Sequence, residues 1–162
     1  MSTTNSAVFP MRRAAGALLG GLAAGTLDIV YAFVFASQRG RSPLWVFQSV
    51  ASGLLGRQAF DGGMATGIVG VICHFTIATI FATFFSIASN WIPALRRQPL
   101  ICGALYGVGV WIVMNTLVLP LSAFPLKVSY PPMAIARGFV SHALLVGIPI
   151  SYTVSRFTRS NS

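Results

Sequence analysis

The stretch Gly63–Ser89, GMATGIVGVICHFTIATIFATFFSIAS, decides the fold. It holds no Asp, Glu, Lys or Arg, and His74 is its one strongly polar side chain. At about 1.5 Å per residue, a helix of this length crosses the roughly 30 Å hydrocarbon core of a bilayer. Working outward, three further runs have the same character: 14–36, 100–121 and 133–157. The whole chain agrees with them. Of 162 residues 55% are hydrophobic and 8% charged, and mean hydropathy is +0.76, whereas a soluble domain carries roughly a quarter charged residues. A soluble globular protein is excluded. The expectation is an all-α polytopic membrane protein forming one transmembrane domain over residues 1–162.

The segment 43–56 is too short to span. Ser42 is placed to cap a helix, Pro43 fits its first position, and Leu44, Phe47, Val50, Ala51, Leu54 and Leu55 recur at helical spacing. This predicts an interfacial or re-entrant amphipathic helix, with Trp45 at headgroup depth and Gln48, Ser49 and Ser52 toward the polar side. Arg12-Arg13 before an apolar run can also open a signal peptide. The run from Ala14 to Ala36 is longer than such a peptide needs and is read as a retained helix.

Eleven basic residues against two acidic ones give a net charge of +9. In a soluble chain that balance points to nucleic acid; here the arginines flank apolar runs and act as topology determinants and anionic-lipid contacts, so the bilayer is the partner and nucleic acid is not. Arg12, Arg13, Arg96, Arg97, Arg156 and Arg159 fall on one side as three pairs. Arg39, Arg41, Arg57, Lys127 and Arg137 fall on the other, partly offset by Asp61. The paired set predicts both termini in the cytoplasm. Asp61, four residues after Arg57, reads as a solvated pair capping the second spanning helix. Cys73 and Cys102 lie in apolar runs without CxxC spacing, which suggests neither a disulfide nor a thiolate metal site.

Small-residue spacing gives the packing faces: Gly16 and Gly20, Gly21 and Gly25, Gly63 and Gly67, Gly103 and Gly107. In lipid, close backbone approach and interhelical hydrogen bonds hold helices together. Pro149 should kink the last helix and free the carbonyl of Leu145. Setting Gly16-Ala17-Leu18-Leu19-Gly20 on Gly103-Ala104-Leu105-Tyr106-Gly107 brings Asp28 onto Asn115. Setting Gly70-Val71-Ile72-Cys73-His74 on Gly138-Phe139-Val140-Ser141-His142 aligns two histidines. The pattern is that of a parallel two-fold internal repeat.

Counting from helix midpoints places Asp28, His74 and His142 about three residues outward, roughly 5 Å, and Asn115 roughly 7 Å. Arg137 sits one turn further out. These residues form one polar layer in one half of the membrane, and each must face the bundle or a wet cavity, because a lipid-facing charge costs at least about 2.5–3.5 kcal/mol. Whether Asp28 is charged turns on its pairing with His74, His142 or Arg137.

Three readings fit the layer: a structural hydrogen-bonded core, a proton-linked or ion-linked path, and a haem or metal site built on the two histidines, with no cofactor assigned. No G-x-S-x-G, H-E-x-x-H or close carboxylate pair is present, so catalysis is not expected. Proton-linked or small-solute transport leads. A structural or accessory subunit that binds other membrane helices or a second copy is the alternative, and an electron carrier follows.

Several stretches carry a family resemblance: His74 in an apolar helix, the G-A-L opening at Gly103–Leu105, Pro120-Leu121, and Gly138 to His142 with the basic end at Arg156. On these residues the chain resembles small multi-pass bacterial inner-membrane proteins, distantly of the YagU family. The chain departs from them in lacking a long loop after the first helix. The resemblance implies a bacterial inner membrane and no particular chemistry.

Overall fold

A computed structural model describes residues 4–158; Arg159 of the paired arginines lies outside them. Every regular element among the described residues is helical. The helices are α1 (Thr4–Ser37), α2 (Pro43–Leu55), α3 (Gly63–Ala88), α4 (Pro99–Leu121) and α5 (Pro132–Thr158). A tight turn at Gly56–Phe60 joins α2 to α3, and a single helical turn at Ala94–Arg97 precedes α4. Four stretches, Met11–Ser37 of α1 and the whole of α3, α4 and α5, are long and apolar enough to cross a membrane. Their outer faces expose Leu18, Leu22, Ile68, Ile72, Phe84, Leu105 and Val140. A surface so continuously apolar is stable only against lipid. This is a multi-pass membrane protein.

Glycine sets the helix order. Gly16 and Gly20 of α1 lie on Phe157, Val154 and Ile150 of α5, while Gly21 and Gly25 lie on Thr79, Phe75 and Ala78 of α3. The two pairs start five residues apart, about 140° around a helix, so they present two faces and seat α1 between its neighbours. Gly103 and Gly107 of α4 meet the backbone of α5 at Gly147, Ile148, His142 and Ala143. Around these contacts a core forms from Ala24, Ala82, Phe85, Val110, Val146, Ile150 and Val154.

Gly63 does something else. It opens α3 at φ +55, and no atom lies within 4 Å of where a Cβ would stand, so its glycine serves the turn and not a helix contact. Gly67 takes Leu44 of α2, and Gly70 takes the backbone of Phe47. Asp61 does not cap α3: the N-cap position is Gly62, without a side-chain bond, and the Asp61 N–H closes the preceding turn on the Gln58 carbonyl at 3.2 Å.

α2 begins as its sequence dictates, with the Ser42 hydroxyl accepting from the Trp45 N–H at 3.1 Å and Pro43 in the first turn. Its polar residues, expected toward the polar side, turn inward: Gln48 and Ser52 are buried, whereas Leu54 is 70% exposed. The reason is local satisfaction. Ser49 and Ser52 donate to the carbonyls of Val46 and Ser49, each at 2.7 Å, so neither hydroxyl needs water. Gln48 donates to the Gly63 carbonyl at 3.1 Å and reaches the Thr66 hydroxyl, which donates to Ala59 at 2.7 Å. Those bonds pin α2 and its turn to the start of α3. The far end of α2 is held by the Ala123 N–H, which donates to Gly53 at 2.9 Å.

Both later helices contain a π segment, Met114–Val118 in α4 and His142–Gly147 in α5. Each ends just before a proline. The N–H of Leu119 donates to Met114, ahead of Pro120, and that of Ile148 to Ala143, ahead of Pro149. A helical proline clashes with the carbonyl four residues back, and shifting one turn to five-residue spacing relieves it. Where a kink was expected at Pro149, the helix runs on through a widened turn.

Candidate functional site

Asp28 of α1, His74 of α3 and His142 of α5 line one cavity of about 200 Å³. Ala24, Ile77, Val110, Met114 and Val146 supply apolar walls, and Val50 brings α2 to its edge. Three spanning helices therefore each place one ionisable side chain in the same space. All three side chains are half-buried.

Each is positioned by the packing around it. Gly25, one turn before Asp28, lets α3 approach until the His74 Nε2–H donates to the Gly25 carbonyl at 2.8 Å. In a neutral ring that bond leaves Nδ1 as an acceptor. The Phe75 ring fills the space a Cβ on Gly25 would occupy. His142 begins the π segment of α5, where Gly107 meets its backbone, and its Nδ1 lies 3.4 Å from the Ser141 hydroxyl. No residue among those described donates a hydrogen bond to the Asp28 carboxylate. With a carboxylate and two imidazoles lining it, this space suits protons, water or hydrogen-bond donors.

Asn115 and Arg137, expected in the same layer, are not brought to the cavity. The Asn115 amide folds back on α4, donating to the Trp111 carbonyl at 2.8 Å. In the π register its own carbonyl faces residue 120, a proline without a hydrogen to give, and the Tyr130 hydroxyl stands in at 3.5 Å. Arg137 is exposed, donates to Met133 at 3.3 Å and lies 5.2 Å over the Phe35 ring, which Arg39 also covers at 3.7 Å. Both guanidiniums use an aromatic face at the end of the bundle.

The opposite end closes through residues that glycine spacing alone leaves out. Gly147, Ser151 and Ser155 recur every four residues on α5. Ser151 donates to the Pro99 carbonyl at 2.8 Å and Ser155 reaches Leu95 at 3.5 Å. Small residues at four-residue spacing are the signal; it is legible once serine is counted with glycine. Tyr106 of α4 is the other omission, donating to the Phe81 carbonyl at 2.6 Å and packing edge-on against Phe85 at 5.0 Å.

Among the described residues no three of His, Cys, Asp and Glu converge closely enough to hold a metal ion. The glycine faces of α1 and α4 meet helices of the same chain, so they are already occupied. No family model, curated protein or solved structure matches this chain.

Proposed function

We propose that the protein moves protons, or a small solute linked to them, through the cavity lined by Asp28, His74 and His142. The observation that carries this reading is their meeting from three separate helices in one apolar-walled space. Intramembrane Asp and His are expensive to keep and serve proton relays when they face a shared cavity. The cavity is smaller than the roughly 300–1,000 Å³ that drug-sized ligands occupy, which favours water, protons and small polar groups over a haem.

In this reading the protein sits in a bacterial inner membrane with both termini cytoplasmic, supported by the paired basic ends; Arg12 and Arg156 line one groove there. α2 acts as a re-entrant cover, supported by Val50 at the cavity edge. α1 with α3 and α4 with α5 are two copies of one helix pair, supported by the two histidines at one cavity. The resemblance to YagU-like proteins fits this location.

The test is potential-driven proton flux into proteoliposomes carrying a trapped pH dye. Wild type exceeds protein-free vesicles, and Asp28→Asn returns flux to background while its thermal unfolding in detergent stays unchanged. Flux equal in wild type and Asp28→Asn, or none above background in wild type, overturns the proposal.

A further inference from the structure

A lipid-facing groove shares a wall with the cavity. Between α3 and α4 runs a groove of about 620 Å³ walled by Phe81, Phe84, Leu105, Gly109, Val110 and Val113. Phe81 and Val110 also line the polar cavity, so one pair of side chains separates the two spaces. Leu105 is 69% and Phe84 61% exposed, which puts the mouth of the groove on the lipid-facing surface. Tyr106 bridges α3 and α4 by its bond to Phe81, and beside it Gly109 has no atom within 4 Å of where a Cβ would stand. The groove is thus open to the bilayer at its mouth and abuts a carboxylate-bearing cavity at its side.

We infer that the site takes a single-chain amphiphilic amine: the ammonium head in the cavity at Asp28, the hydrocarbon chain in the groove between α3 and α4. The inference rests on the cavity being the functional site. Charge and donor balance choose the head. The Asp28 carboxylate receives no hydrogen bond from the described residues, and His74, its Nε2–H committed to Gly25, offers a second acceptor at Nδ1. The other titratable group facing the space is His142; α2 and α4 face it with Val50, Val110 and Met114. An ionised Asp28 would repel an anion and find no balancing charge in a neutral group, whereas an ammonium brings both the charge and the donors that favour the ionised form. Size chooses the shape: about 200 Å³ admits a small head and the longer apolar groove a chain.

Dodecylamine binding to the protein in lipid nanodiscs, read by native mass spectrometry, tests this, with dodecanol and dodecanoate as neutral and anionic probes of equal length. Dodecylamine is retained about tenfold or more over the other two. Asp28→Asn abolishes that preference. Gly109→Leu, which fills open space, weakens dodecylamine binding with thermal unfolding unchanged, and butylamine binds more weakly than dodecylamine. Equal retention of the three probes overturns the inference, as does dodecylamine binding untouched by Asp28→Asn or by Gly109→Leu. Selective amine binding without proton flux overturns the transport reading alone; Asp28-dependent flux without amine selectivity overturns the amine alone.

Discussion

The pair α1–α3 and the pair α4–α5 carry similar sequence, a G-A-L stretch in the first helix and G-x-x-x-H in the second, yet they are built differently. In α1–α3 the contact at the level of the histidine is between glycine and side chain, Gly25 against the Phe75 ring with His74 reaching across to a main-chain carbonyl, and only one turn earlier does Gly21 meet the Thr79 main chain. In α4–α5 it is backbone on backbone, Gly107 on Gly147, and each helix carries a widened turn ahead of a proline. The residues aligned with Pro120 and Pro149 are Phe33 and Phe81, and the first pair accordingly stays regular. Two prolines set the second pair apart. With the π segments ahead of them, Asn115 bonds within its own helix and His142 stands at the start of a widened turn.

The largest expected effect comes from the backbone contact. Gly147→Leu cannot be relieved by a rotamer change, because a Cβ there meets the Gly103 carbonyl and Gly107 main chain. It should destabilise by more than about 3 kcal/mol, beyond ordinary overpacking, and show as loss of the folded fraction in detergent thermal unfolding. Gly25→Ala, whose Cβ would meet the Phe75 ring at 2.9 Å and Ala78 at 3.3 Å, should cost about 1–2 kcal/mol in the same assay. Equal costs would erase the distinction between the pairs.

Pro149→Ala comes next. Without the proline the turn can return to four-residue spacing, which rotates the start of α5 by about 100° relative to its end and carries His142 away from Asp28. Proton flux should fall to near background, and unfolding should shift to lower temperature as Gly138 and Ala143 leave their contacts with Trp111 and Gly107. Preserved flux would show that the widened turn does not position the histidine.

The smallest effect separates the two histidines. His74→Ala removes the bond to Gly25 and should cost about 0.6–1.7 kcal/mol, the range of interhelical hydrogen bonds in membranes. His142→Ala, whose ring makes no interhelical hydrogen bond among the described residues, should cost less stability and more flux. The reverse order would exchange their roles.

Much of this was legible in the chain. Segment length and apolarity delimit the spanning helices, since no other structure satisfies an isolated backbone in lipid. Ser42-Pro43 marks the start of α2 by capping chemistry that needs only neighbouring residues. Depth counting brings Asp28, His74 and His142 to one level because a helix advances by a constant rise per residue. What depth cannot supply is the direction a side chain takes around the axis. Asn115 lies near that level yet turns to its own helix, and Arg137 finds an aromatic ring.

Residue order thus fixed the helical elements and their lengths, which are properties of one helix at a time. Tertiary structure alone decided the rest. It turned Gln48 and Ser52 inward, because bonds within α2 and to α3 satisfied them. It assigned the two glycine faces of α1 to different neighbours and left Gly63 to a turn. It also left open the groove beside Gly109, since a gap between helices exists only once their neighbours have been placed.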